Sequence, residues 1–128
     1  MKPKLRNSGA WTEARYHSFI VSALRGALRR WPPKYKVLKN AATERLINPK
    51  SGKLAMHYRC ASCGNHFPAK DVQVDHIKPV VDPKKGFINW DTFIERLYCE
   101  IKNLQVLCKP CHKTKSAKER VKRGTKKI

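Results

Sequence analysis

Acidic side chains are scarce in this chain. Its 128 residues include 29 lysines and arginines but only 9 aspartates and glutamates, which gives a formal net charge of +20. A surface with so few carboxylates attracts polyanions, so we expect a nucleic acid as the partner. The length is sufficient for one compact domain with arms, but hardly for two independent cores.

Long apolar runs are missing as well. No stretch approaches the roughly 20 apolar residues of a membrane-spanning helix, and no apolar signal-peptide core follows the opening Met-Lys-Pro-Lys. We therefore expect a cytoplasmic protein that does not contact a membrane. The sequence offers no clear dimer surface, and we expect a monomer or a weak dimer.

The chain has five cysteines, and an odd number in a cytoplasmic protein argues against a disulfide framework. Cys60 and Cys63 are separated by two residues, as are Cys108 and Cys111, and this spacing lets two thiolates turn toward one tetrahedral zinc ion. The segment between the pairs exceeds the roughly 15 to 20 residues of an ordinary zinc ribbon. We predict a structural zinc site whose loop encloses another functional segment, and we interpret Cys99 as a small buried hydrophobe.

The N-terminal part, residues 1–52, is predicted to be a basic helical arm. Thr12 can cap a first helix that ends near Trp31, and a second helix is predicted from Lys34 to Ile47, before a turn at residues 48–52. One polar face of the first helix either contacts DNA or is solvated. Its cations are Arg15, Arg25 and Arg29.

Residues 53–118 carry the chemical motifs, and residues 119–128 form a basic tail. Alternating apolar and polar residues predict a half-buried strand over residues 72–75. Asp91 can cap a helix, and the last helix is expected to begin near Lys109 and to decay into the tail from Lys118 onward. The apolar face of the helix after Asp91 comprises Phe93, Ile94, Leu97 and Ile101.

A carboxylate and an imidazole follow each other at Asp75 and His76. In a regular strand they point to opposite faces, so both can serve one site only if the strand ends or bulges there, which Pro79 favours. A second histidine, His112, directly follows Cys111. Adjacent helical residues differ by about 100° in direction, and four thiolates complete a zinc shell, so His112 is either a ligand of a second metal or a free histidine.

From about residue 56 to 118 the chain resembles the HNH endonucleases of the ββα-metal nuclease group, in the branch where two cysteine pairs bind zinc. The resemblance rests on the first cysteine pair, "VDHIKPV", "NLQVLCKPCH" and the lysine-rich segment that follows. The segment "WTEARYHSFIVSALRGALRRWPPKY" is similar to the arm of HNH proteins from tailed phages. The implied fold is α+β: a small ββα-metal core stapled by a Zn(Cys)4 site, between a basic helical arm and a basic tail.

The resemblance also implies residue roles. His76 matches the general base, Asp75 and His112 match ligands of a single catalytic cation, and Asn103 matches the residue that supports the catalytic loop and orients the base. Mg²⁺, Mn²⁺ and Ni²⁺ each suit such a ligand pair. The substrate is expected to be double-stranded DNA, which is nicked or cut, in the bacterial host cytoplasm if the chain is phage-encoded. The lysines at 113, 115 and 118 either grip backbone phosphates or are solvated.

One alternative is a non-catalytic zinc-stabilised module that binds nucleic acid, in which Asp75 and His76 are incidental. A zinc deaminase is excluded, because the required His-x-Glu element and Pro-Cys-x-x-Cys pair do not occur. His66 lies close enough to Cys63 to compete as a zinc ligand. His17 and His57 have no spacing that indicates ligation.

Overall fold

The computed structural model describes residues 5–126, with the side chains of residues 6–122, and the expected α+β class is confirmed. The chain divides into two compact units, Met1–Trp31 and Pro32–Ile128. No helix among the described residues is long and apolar enough to cross a membrane. The elements are β1 (Leu5–Arg6), β2 (Trp11–Thr12), α1 (Glu13–Leu28), α2 (Pro32–Ala41), β3 (Ala42–Ile47), β4 (Leu54–Arg59), β5 (His66–Pro68), β6 (Val72–His76), α3 (Trp90–Leu97), β7 (Leu104–Cys108) and α4 (Lys109–Lys126).

In the first unit, β1 and β2 form a two-residue ladder that leads into α1. The predicted cap is confirmed, because the Thr12 side chain accepts a hydrogen bond from the Arg15 backbone N–H at 3.2 Å. The Arg15 guanidinium lies over the Trp11 ring, 4.7 Å from its centroid. No side chain of α1 is fully buried, so this helix owes its stability to local contacts more than to a core.

The second predicted helix is too long, and this prediction is wrong beyond Ala41. Ala42–Ile47 is instead the edge strand β3 of an antiparallel sheet with the order β3-β4-β5. Its register joins Ala42 to Tyr58 and Ile47 to Leu54. The turn predicted at residues 48–52 is confirmed as the hairpin connection, closed by the Gly52 N–H on the Asn48 carbonyl at 2.7 Å. Pairing with β4 stabilises the strand conformation of these residues, which their own sequence does not specify.

The predicted arm boundary at residue 52 therefore falls inside this hairpin turn, whereas the two units separate between Trp31 and Pro32. At the other end, α4 continues to Lys126, well past the residue where the helix was expected to decay. Of the predicted basic tail, residues 127–128 lie outside the described part of the chain. Its remaining backbone is helical.

The strand predicted over residues 72–75 is confirmed as β6, which pairs antiparallel with β7 in a second sheet. Strand β7 is buried at four of its five positions because α2, β4 and α4 all contact it. Helix α3 buries Phe93 and Leu97, as its apolar spacing predicted. The other two residues of the predicted face are exposed, and Ile101 lies beyond the end of the helix, whereas Ile94 lies within it. Its cap is Asn89 rather than Asp91, since the Asn89 side chain accepts the Thr92 N–H at 2.8 Å.

Candidate functional site

The four paired cysteines converge on one point. Cys60 and Cys63 lie in the turn after β4, while Cys108 ends β7 and Cys111 lies in the first turn of α4. All four sulfur atoms are within 4.8 Å of one another. The Sγ atoms of Cys63 and Cys108 are 3.9 Å apart, close to the separation of about 3.8 Å that zinc–sulfur bonds of about 2.3 Å give in a tetrahedron.

The thiols also have the protonation chemistry of a metal site. Burial opposes ionisation of Cys60, but backbone N–H groups of Cys108, Cys63 and Ser62 point at its sulfur and lower its pKa to about 6. Burial raises the pKa of Cys108 to about 12. A bound cation resolves this contrast, because it neutralises neighbouring thiolates that otherwise repel one another. The predicted set of cysteines is thus confirmed as one that can hold a metal ion.

The other cysteine and two of the remaining histidines have different contacts. Cys99 is half-buried rather than buried as expected, and this partial burial raises the pKa of its thiol. His66 Nδ1 is 3.1 Å from the Thr43 hydroxyl and does not belong to the thiol cluster. His57 is buried, with Nδ1 hydrogen-bonded to the Ala55 carbonyl at 2.9 Å.

The strand pair β6-β7 and helix α4 position a second group of side chains. In the register of the pair, Asp75 lies opposite Gln105 and His76 lies opposite Leu104. The Gln105 amide donates to Asp75 Oδ2 at 3.2 Å. Because β7 leads directly into α4, the first turns of that helix return along the strands and bring His112 back to Asp75.

The predicted cation ligands Asp75 and His112 lie close together. Asp75 Oδ1 and His112 Nε2 are 3.6 Å apart, with 13% of the Asp75 side chain and 33% of the His112 side chain exposed. Bonds of about 2.1 Å to a shared ion, at angles of about 90 to 120°, separate two ligand atoms by about 3.0 to 3.6 Å. The distance between the two atoms is therefore compatible with a shared ion.

His76 is the last residue of β6, and its ring is held on the opposite side of the strand. The ring Nε2 lies 2.8 Å from the Leu97 carbonyl oxygen at the end of α3. A carbonyl only accepts, so Nε2 carries the proton, and in the neutral ring the lone pair is on Nδ1. The main chain thus fixes both the ring orientation and the tautomer of His76.

Asn103 forms hydrogen bonds with the two residues that follow His76. Its carbonyl accepts the Ile77 N–H at 2.8 Å, and its side-chain Oδ1 accepts the Lys78 N–H at 3.0 Å. Its Nδ2 donates to the Lys78 carbonyl at 3.4 Å. These bonds tie the chain after β6 to the segment before β7.

The structure places Lys115 inside the site rather than beside it. Its ammonium group is 3.1 Å from Asp75 Oδ2 and 3.0 Å from the His76 carbonyl oxygen, and it forms an ion pair with Glu119. Partial burial opposes the charge, but the Glu119 and Asp75 carboxylates outweigh it and raise the pKa of Lys115. Its role as a phosphate grip stays a prediction.

The other cations predicted to contact DNA are exposed. Lys113 and Lys118 are exposed residues of α4, whereas Arg15 and Arg25 are exposed on α1 of the first unit and Arg29 is exposed directly after that helix. DNA contact by these residues also stays a prediction.

Two site residues were not singled out from the sequence, namely Gln105 and Glu119. Glu119 follows His112 by seven residues, so a helical projection places them on one face. Gln105 needed the strand register, which depends on pairing across the intervening segment. Comparison with protein-family models, with curated proteins and with solved structures finds no match to this chain.

Proposed function

We propose that this chain is a metal-dependent HNH endonuclease that hydrolyses DNA phosphodiester bonds, with structural zinc at the four cysteines. The observation that carries the proposal is the 3.6 Å approach of Asp75 Oδ1 to His112 Nε2, at the end of a strand pair that continues into a helix. Two residues that resemble the HNH motif, Asp75 and His112, thus lie close together although they are distant in sequence.

His76 is the general base of the proposed reaction. With Nε2 donating to the Leu97 carbonyl, Nδ1 is the atom that accepts a proton from the attacking water. A positioned base of this kind commonly contributes about 10² to 10⁴-fold in rate. The orientation of the ring matters as much as its basicity, since proton transfer requires hydrogen-bond geometry.

Asp75 and His112 hold the catalytic cation, which can be Mg²⁺, Mn²⁺ or Ni²⁺ because one carboxylate and one imidazole are intermediate in hardness. When bound, the cation supplies Lewis acidity to the phosphate and to the departing oxygen. Asn103 has a positioning role, because its bonds to Lys78 fix the segment directly after the base.

The surface beside the site fits a phosphate backbone. A cleft of about 420 Å³ is lined by more cations than carboxylates, namely Lys84 of the segment between β6 and α3, Lys115, Lys118 and Lys122 of α4, and the carboxylates of Asp82 and Glu119. Lysines at such a groove grip phosphates without reading sequence. Double-stranded DNA is the proposed substrate, and hydrolysis at one such site nicks one strand per encounter.

The zinc and the catalytic cation have separate roles. Four cysteines leave a zinc ion no open position for a substrate, so the zinc stabilises the fold and supports no turnover by itself. In the competing hypothesis, a non-catalytic zinc-stabilised module, the basic surface binds nucleic acid and Asp75, His76 and His112 are incidental.

Cleavage of supercoiled plasmid tests the proposal. Purified protein is incubated with plasmid in Mg²⁺, Mn²⁺, Ni²⁺ or EDTA, with His76→Ala as the inactive variant and His66→Ala as a matched histidine control outside the site. We expect relaxed or linear product from the wild type and from His66→Ala, none in EDTA, and at least about 100-fold less from His76→Ala.

Two outcomes would reject the proposal. Equal cleavage by His76→Ala would mean that the base is misassigned or that the activity is a contaminant. Absence of cleavage in every metal, together with salt-sensitive DNA binding by all three proteins, would favour the non-catalytic module.

A further inference from the structure

The ammonium group of Lys115 is surrounded by oxygen atoms. Asp75 Oδ2 lies at 3.1 Å, the His76 carbonyl oxygen lies at 3.0 Å, and Glu119 Oε1 completes the set. Two carboxylates and a main-chain carbonyl are also the ligand types that hard divalent cations prefer. The lysine thus occupies a position with the chemistry of a cation site.

The position of Lys115 on α4 directs this ammonium toward the strands. His112, Lys115 and Glu119 follow one another at steps of three and four residues, so they share one helix face. Lysine preceding glutamate by four residues is the weaker order for stabilising a helix. The Lys115–Glu119 pair is therefore better explained by its contact with Asp75 than by helix stability.

The Asp75 carboxylate is divided between two cationic positions. Its Oδ1 faces His112 at 3.6 Å, and its Oδ2 faces Lys115 and the Gln105 amide. Two-metal sites have ions about 3.5 to 4 Å apart on either side of the reacting phosphate. In this protein the Lys115 ammonium faces Asp75 Oδ2, where a two-metal site would have a second metal ion.

We propose that Lys115 is the second cation of this site, covalently built into the chain, and that a divalent ion takes its position when the ammonium is removed. The catalytic cation beside Asp75 Oδ1 rests on the proposed function. The cationic position beside Asp75 Oδ2, which Lys115 occupies, does not. Lys115 neutralises Asp75 and Glu119 and keeps the site at one exchangeable divalent ion.

Counting bound Mn²⁺ tests this proposal. Zinc-loaded wild type, Lys115→Ala and Lys118→Ala are titrated with Mn²⁺, and free Mn²⁺ is measured by electron paramagnetic resonance. We expect Lys115→Ala to bind one more ion per chain than the wild type. Lys118→Ala is the matched control, because it removes a lysine from the same helix without touching Asp75, and its count should equal that of the wild type.

A double variant locates the added ion. Glu119→Gln in the Lys115→Ala background removes one of the two carboxylates, and the count should return to the wild-type value. Cleavage gives a second readout: Lys115→Ala should be about tenfold slower at limiting Mg²⁺, the size expected for losing hydrogen bonds between charged groups. Its rate should recover at higher Mg²⁺ with a steeper concentration dependence.

An unchanged Mn²⁺ count in a folded Lys115→Ala protein would overturn the proposal. Zinc content and thermal melting establish folding, and Lys115→Met, which retains most of the side-chain packing, replaces the alanine variant if that one unfolds. Failure of the proposed function looks different. A wild type that does not cleave DNA while Lys115→Ala still gains one ion would reject the nuclease and retain the lysine position.

Discussion

The cysteine cluster and the Asp75–His112 site share helix α4, yet they differ in the number and type of ligand atoms that they offer a metal. The cluster combines the turn after β4 with β7 and α4, whereas the other pair joins β6 to α4. The cluster offers four sulfurs, enough to complete the tetrahedral shell of a zinc ion; Cys60 and Cys108 are 0% and 2% exposed, Cys111 is half-buried and Cys63 is exposed. The other site offers one oxygen and one nitrogen, and a third of the His112 side chain is exposed. By ligand number, the cysteine cluster at one end of the β6-β7 pair is a closed site, and the Asp75–His112 pair toward the other end is an open site.

The comparison shows how two adjacent residues of one helix can belong to different sites. Cys111 and His112 are neighbours on α4, but the helix turns one toward the four-sulfur cluster and the other toward Asp75. The closed site can stabilise the elements that the open site needs to remain in place. Variants at the two ends should therefore fail in different ways.

The largest expected effect is at the closed end. Structural zinc is worth about 10 to 16 kcal/mol in small zinc domains, which matches or exceeds the total stability of a typical domain. Cys108→Ser should therefore abolish the cooperative thermal transition measured by circular dichroism and should lose the zinc. Cys99→Ser, the same change outside the cluster, should melt like the wild type; equal melting of both variants would contradict a structural metal.

The next effect separates the neighbours. His112→Ala should lower plasmid cleavage by more than the roughly 10- to 100-fold typical of residues that only support a metal ligand, while zinc content and melting stay at wild-type values. Cys111→Ser should behave in the opposite way, because the loss of zinc should come first. Loss of zinc from His112→Ala would mean that this histidine belongs to the closed site.

A smaller effect is expected at Asn103, which supports the open site without touching a metal ligand. Asn103→Leu removes both side-chain bonds to Lys78 and should slow cleavage about tenfold, as expected for losses of about 1 to 1.5 kcal/mol. Asn103→Asp keeps the 3.0 Å acceptor for the Lys78 N–H and should retain most activity. If the two variants were equally impaired, the loop-holding role would be wrong.

The smallest effect per residue concerns DNA affinity. Each phosphate contact that is lost should reduce the slope of log affinity against log salt by about 0.9. We expect this change in filter-binding measurements for Lys118→Gln and Arg25→Gln, but not for Lys53→Gln in the hairpin turn. Equal slopes for all three would indicate a diffuse basic surface without defined phosphate contacts.

Local signals in the sequence predicted much of the fold. The Thr12 cap, the alternation in β6 and the spacing of Phe93 and Leu97 each act over a few residues, and each was recovered. Residues 42–47 were misassigned because alanine, glutamate, arginine and leucine favour helices. Their strand conformation depends on pairing with β4 across the hairpin turn, and the residue preferences of a short segment do not include such pairing.

The candidate site was predicted to a similar extent. Ligand spacing predicted the cysteine cluster, which depends on residue type and order alone, whereas the roles of His76 and His112 stay predictions. The contact of Lys115 with Asp75 depends on how α4 packs on β6, so the sequence left that lysine among the surface cations. Likewise, Asn89 and Asp91 are both competent helix caps, and only the geometry of the turn decides between them.

The partner of the His76 ring has an evolutionary consequence. The Leu97 carbonyl is a main-chain group at the end of α3, where helix carbonyls lack partners within the helix. Any residue that preserves the end of this helix offers the same acceptor. Mutation at 97 therefore cannot delete it directly, and selection on the orientation of this imidazole acts on the packing and length of α3 rather than on a side chain.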